Sequence, residues 1–124
     1  MAKICIDFKV LLDYLRGDPI TVEKIKHIGQ EEDLYITAPT LADISLVIED
    51  KTIIPKLLTV FDVLPLDEEA AMLVGEIYDE VEDSGRRPNL RRIVEASICI
   101  KNKSYLLVKS KKDYDYIPKL KLII

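Results

Sequence analysis

Short β-branched runs alternate with helix-spaced apolar residues along the whole of this chain, and that alternation leaves few folds open. Ile4-Cys5-Ile6 reads as a first buried strand, and Val10, Leu11, Tyr14 and Leu15 then recur at helical spacing until Gly17, with Asp18-Pro19 as the stop. Thr21 to about Gln30 is a second helix turning Ile25 and Ile28 inward, followed by a strand at Leu34-Tyr35-Ile36. Pro39 and Thr40 open a helix with Leu41, Ile44, Val47 and Ile48 on one face, and Thr52 to Phe61 is a shorter helical stretch. Val63-Leu64-Pro65-Leu66 is a brief strand or an extended lead into the next helix. That helix is capped by Asp67, buries Ala71, Val74, Ile77, Tyr78 and Val81, and runs to Ser84-Gly85. Pro88 suits the first turn of another helix ending near Lys101-Asn102; Tyr105 to Val108 is a strand, Ser110 to Tyr116 a polar turn, and Lys119 to Ile124 a last strand.

Strands that alternate with helices build βαβ units. The expectation is therefore a three-layer α/β/α domain with a mainly parallel central sheet of 4–5 short strands, one domain over residues 1–124. In such folds ligands bind outside the C-terminal ends of the strands. Asp7 ends the first strand and Asp43 lies one turn into the helix after the second, so both are expected at one crevice.

Charge is unevenly distributed. From Arg86 to the end there are 11 Lys/Arg against 3 Asp/Glu, a balance of +8, whereas the first 85 residues hold 7 against 19, or −12. Such a split points either to nucleic acid or a partner of opposite charge, or to two regions that neutralise each other on one surface. Arg86, Arg87, Arg92, Lys109, Lys111 and Lys112 are the candidate RNA-binding residues, with Tyr114 or Tyr116 available to stack on a base. No apolar run approaches the roughly 20 residues of a membrane span. Asp7 interrupts the apolar stretch that an export signal needs, so a cytoplasmic location is expected. Cys5 and Cys99 sit in apolar stretches and are expected as buried free thiols; His27 is the only histidine and has no cysteine beside it.

Several segments together resemble the PIN-domain family, in particular the small VapC-type toxin ribonucleases. Ile4 to Gly17, with its strand ending in Asp7 and the Val10-Leu11-Leu12 that follows, looks like that family's opening. Thr40-Leu41-Ala42-Asp43 looks like its Thr-Leu-Ala-Glu segment; Leu64-Pro65-Leu66-Asp67 and Leu106 to Tyr114, followed by Ile117-Pro118-Lys119-Leu120, match in pattern. The resemblance runs nearly end to end. It implies a Mg²⁺- or Mn²⁺-dependent ribonuclease with a ring of carboxylates, a small antitoxin partner and a homodimer. Hard cations take oxygen ligands and lower the pKa of bound water, which is the chemistry such a ring would serve.

Position by position, Asp7 stands at the first family Asp and Asp43 at the family Glu, which makes these two the expected metal ligands. Arg91 falls where the third acid belongs, Ser110 where the fourth acidic or amide residue belongs, and Lys9 where Asn, Ser or Thr is usual. Two readings follow. In one, Asp7 and Asp43 are joined by Glu95 or Asp113 as catalytic carboxylates of a VapC-like endoribonuclease. In the other, Lys9 and Arg91 replace the metal as an internal ion-pair cluster, and the chain is an inactive module binding RNA, an antitoxin-like protein or itself. Arg91 and Glu95, at i,i+4, are expected as a surface pair, and Asp113 as a turn residue.

Overall fold

The computed structural model describes all 124 residues. Its elements are β1 (Lys3–Ile6), α1 (Phe8–Leu15), α2 (Pro19–Gly29), β2 (Asp33–Thr37), α3 (Ala38–Val47), α4 (Ile53–Val60), β3 (Asp62–Leu64), α5 (Glu68–Asp83), α6 (Leu90–Lys101), β4 (Tyr105–Leu107) and β5 (Leu122–Ile123). The five strands form one sheet in the order β3-β2-β1-β4-β5, and every pair is parallel.

Period-two alternation in the strands sorts side chains to the two faces. Ile4, Ile6, Ile36 and Leu107 point into a cluster with Val10, Leu11, Ile25, Ile44, Leu57 and Phe61 from α1 to α4 and the residue after α4. Cys5 and Leu106 point the other way, into a cluster with Ala70, Ile77 and Val81 of α5 and Ile93, Ala96, Ile98 and Cys99 of α6. Helices thus cover both faces, as the alternation requires. Cys5 and Cys99 are buried free thiols, and the hydrogen bond between them together with burial pushes the Cys5 thiol up, leaving it inert.

The helix boundaries follow from caps. Asp18 does not stop a helix: its carboxylate accepts from the Thr21 amide, and Pro19 occupies the first turn, so α2 begins two residues before the expected Thr21. Asp67 caps α5 as expected. Pro88 lies outside α6, whose cap is Asn89, accepting from the Arg92 amide. In α5 the stripe of Ile77 and Val81, with Val74 and Tyr78 partly buried, is as expected, but it is Ala70 and not Ala71 that is buried. Val47 is 54% exposed because α3 ends there, beyond the edge of the core. The last strand is only Leu122–Ile123, hydrogen-bonded to β4 at the sheet edge.

Topology then places the site. The chain moves outward from β1 through β2 to β3, and the α5–α6 crossover carries it back to the other side of β1 as β4. The strand order reverses at β1, and the crevice forms beyond the C-terminal ends of the strands at that switch. Asp7 is the first residue past β1, Thr37 is the last of β2, and the 3₁₀ turn Lys111–Asp113 follows β4.

Candidate functional site

A cleft of 170 Å³ opens at this switch point, lined by Asp7, Lys9, Asp43, Arg91, Arg92 and Asp113 with Phe8, Asn89 and Tyr114. Sequence reasoning placed Asp7 and Asp43 in one crevice, and the fold brings them there. Each acidic group nevertheless already has a partner from this chain.

Asp7 is 5% exposed and caps α1 weakly, accepting from the Lys9 amide at 3.4 Å; its other oxygen accepts from the Tyr114 hydroxyl at 2.7 Å. Burial first, then the charge of Asp7, drives the Tyr114 hydroxyl far above its ordinary value, so it stays protonated and donates. Tyr114, considered from sequence as a stacking residue, is therefore buried, with its hydroxyl committed to Asp7.

Arg91 spans three groups. Its Nε and Nη2 reach Asp43 Oδ2 at 3.0 and 2.8 Å, Nη1 reaches Glu95 Oε1 at 3.2 Å, and Nη2 also donates to the Thr40 hydroxyl at 3.1 Å. Glu95 is fully buried, contrary to the expectation of a surface pair with Arg91. Its carboxylate accepts from the hydroxyls of Thr37 and Thr40, and the Cys5 thiol lies 4.0 Å from its second oxygen. Burial raises the Glu95 carboxyl above its usual range, against the pull of the Thr37 hydrogen bond and the Arg91 charge. Burial works against the charge on Arg91 as well, but Glu95 and Asp43 outweigh it and hold the guanidinium above its ordinary value. A planar fork suits this task, since it grips several oxygens at fixed angles.

Asp113 is held from two sides, by Lys9 Nζ at 2.8 Å and Arg92 Nη2 at 3.3 Å. The Lys9 hydrogen bond keeps its carboxyl below the usual range. Lys9 was expected beside Asp7 and Asp43; its ammonium instead reaches across to Asp113, because α1 carries it toward the turn after β4. Asp113 is correspondingly an ion-pair residue rather than a cap for local amides.

The candidate metal ligands can be tested against this geometry. No three Asp, Glu, His or Cys side chains converge on a point where an ion could sit. Asp43 and Glu95 share one arginine, and Asp113 is separated from both by its own cations.

The basic residues divide. Arg86, Arg87 and Arg92 line a second cavity of 390 Å³ with Pro88, Asn89 and Tyr116, and this cavity shares Asn89 and Arg92 with the cleft. Lys111 and Lys112 are exposed on the turn beside Asp113. Lys109 is not part of this group: it pairs with Asp13 at 2.8 Å and lines a separate cavity with Asp18 and Lys24. Thr37 and Thr40 were not expected as site residues, and Tyr114 was expected to stack on a base rather than to donate to Asp7. One signal for the burial of Glu95 was available, since its i+3 and i+4 neighbours, Ile98 and Cys99, are apolar.

No family model and no curated protein matches this sequence. Solved structures do match it in shape. A chain of DNA-bound VapBC from Salmonella typhimurium gives a TM-score of 0.87 at 15% identity, over 99% of this chain and 98% of that chain. A chain of VapBC2 from Rickettsia felis, bound to a DNA fragment from their promoter, gives 0.86 at 16% identity over 98% and 97%. VapBC-5 from Mycobacterium tuberculosis, a member of the VapBC family of toxin-antitoxin systems, gives 0.64 at 14% identity over 99% and 98%. The chain has the PIN-like fold of VapC-type toxins. No helix is long and apolar enough to cross a membrane.

Proposed function

We propose that this PIN-fold protein of the toxin–antitoxin type binds RNA without cleaving it, because its own cations hold the acidic site where its fold relatives would hold metal. The observation that carries this reading is Arg91, whose guanidinium bridges Asp43 and Glu95. Mg²⁺ demands near-ideal octahedral oxygen geometry at about 2.0–2.1 Å and repels a neighbouring cation. With Arg91 between Asp43 and Glu95, Lys9 and Arg92 on Asp113, and Tyr114 on Asp7, the residues do not fit such an ion as they stand. RNA binding is supported by Arg86, Arg87, Lys111 and Lys112, which form no ion pair: the arginines line the cavity that shares Asn89 and Arg92 with the cleft, and the lysines are exposed on the turn beside Asp113.

The test is an assay of single-stranded and structured RNA with Mg²⁺ or Mn²⁺, run beside calorimetric titration of both metals. Intact RNA and no millimolar metal binding are expected. Cleavage abolished by Asp7→Asn would sink the proposal and restore the ribonuclease reading, with Asp7, Asp43, Glu95 and Asp113 as ligands.

An antitoxin-like small protein is a second proposed partner, favoured because the structural neighbours come from VapBC complexes. Sedimentation of the chain alone and after co-expression with a candidate partner checks this and the proposed homodimer together.

A further inference from the structure

The loop between α5 and α6 carries a more specific arrangement. Helix α5 ends in a Schellman motif: Gly85 adopts φ +84°, its amide donates to Glu82 O at 3.0 Å, and the Arg86 amide donates to Val81 O at 3.3 Å. Any side chain at position 85 would strain that left-handed turn. The motif clamps the backbone of Arg86 and directs its side chain over the Tyr116 ring, with the guanidinium carbon 5.3 Å from the ring centroid. Tyr116 is itself half-buried against the core beneath α5 and α6. Arg86 is exposed, so its guanidinium lies over the tyrosine ring and stays open to solvent.

Three arginines and no carboxylate line the cavity around this stack, and Arg86 and Arg87 have no ion-pair partner. A basic groove alone would hold any polyanion. A flat cation already seated on an aromatic ring offers something more selective, since unstacked RNA bases stack on arginine planes as well as on aromatic rings. We propose that Arg86, seated over the Tyr116 ring, is a stacking platform for one unpaired base of single-stranded RNA, with Arg87 and Arg92 on the flanking phosphates. Arg92 lines both cavities, so the strand continues into the acidic cleft. This rests on the RNA-binding reading above and names its substrate class as unpaired rather than duplex RNA, whose bases are stacked inside the helix.

Fluorescence anisotropy with a labelled single-stranded oligoribonucleotide, its duplex and an inorganic polyphosphate of similar charge tests it. Arg86→Lys keeps the charge and removes the plane. It should weaken single-strand binding about tenfold while leaving polyphosphate binding and the salt slope unchanged. Arg87→Ala should weaken both ligands and lower the salt slope by about 1. Tyr116→Phe keeps the ring and should bind like the wild type. If Arg86→Lys binds the single strand as the wild type does, or loses RNA and polyphosphate equally, the platform is overturned while RNA binding stands. Tighter binding of the duplex overturns it likewise. Absence of any RNA binding by the wild type at low salt overturns the RNA-binding reading itself.

Discussion

The cleft and the arginine groove share Asn89 and Arg92, yet they treat charge in opposite ways. In the cleft, Asp7, Asp43, Glu95 and Asp113 each meet a hydroxyl or a cation of the same chain, and Glu95 and Asp7 are buried. In the groove, Arg86 and Arg87 have no counter-charge and stand in solvent. Charge that is paired and desolvated acts on the fold, because breaking a pair strands the remaining ion. Charge left unpaired contributes little to the fold and is available to a partner. The paired charges of the cleft thus act on the fold, and the groove is the proposed binding region, the reverse of what acidic positions at a strand-end crevice suggest.

Arg91→Ala should have the largest effect. It leaves Glu95 buried without its cation, and the cost should be near the lower end of the roughly 3–5 kcal/mol typical of broken buried pairs, since the Arg91 side chain is 37% exposed. Urea unfolding measures it, and the loss should shrink at low pH as Glu95 takes up a proton. Replacing both partners, Arg91→Met with Glu95→Leu, should recover most of the stability; a double variant as unstable as the single one would break the assignment of cost to the stranded carboxylate. Tyr114→Phe removes the hydroxyl donor to Asp7 and should cost about 1–3 kcal/mol by the same measurement.

Asp113→Asn should cost less, under about 1 kcal/mol, because its pairs with Lys9 and Arg92 are partly solvated. Its pH signature separates it from Glu95. The Asp113 carboxyl is depressed, so its contribution is present above its ordinary value of 3.8 and is lost as pH falls through its folded value. The Glu95 carboxyl is raised, so its contribution is present below its ordinary value of 4.5 and is lost as pH rises through its folded value. Melting temperatures of the wild type, Glu95→Gln and Asp113→Asn across acid to neutral pH should therefore diverge in opposite directions from the wild type. Arg87→Ala should change stability least, within about 0.5 kcal/mol, while still weakening RNA binding. A large loss of stability there would erase the contrast between groove and cleft.

Much of the fold was legible in local patterns. The run Ile4-Cys5-Ile6 read as a buried strand, and β1 is that strand, with Cys5 packed on one face and Ile4 and Ile6 on the other. Asp67 signalled its helix start through the same cap chemistry that the structure uses. Asp18 was misread because Asp-Pro fits both a stop and a capped start; the hydrogen bond from the Thr21 amide decides for the start. The site was legible only in part. Asp7 and Asp43 were brought to one crevice by topology alone, but the i,i+4 spacing of Arg91 and Glu95 gave no depth. An exposed pair and a buried one have the same spacing.

Sequence by itself determined the alternating strands and helices, the parallel sheet, and the presence of cations at positions where the resembled family has acids or small polar residues. These follow from periodicity and residue identity, which act over a few residues. Only the tertiary structure decided that Arg91 grips Asp43 and Glu95, that Lys9 turns away to Asp113, and that Tyr114 rather than a cation sits on Asp7. Those partners come from elements up to 107 residues apart, and the packing of α6 and the turn after β4 against β1 sets which charges meet.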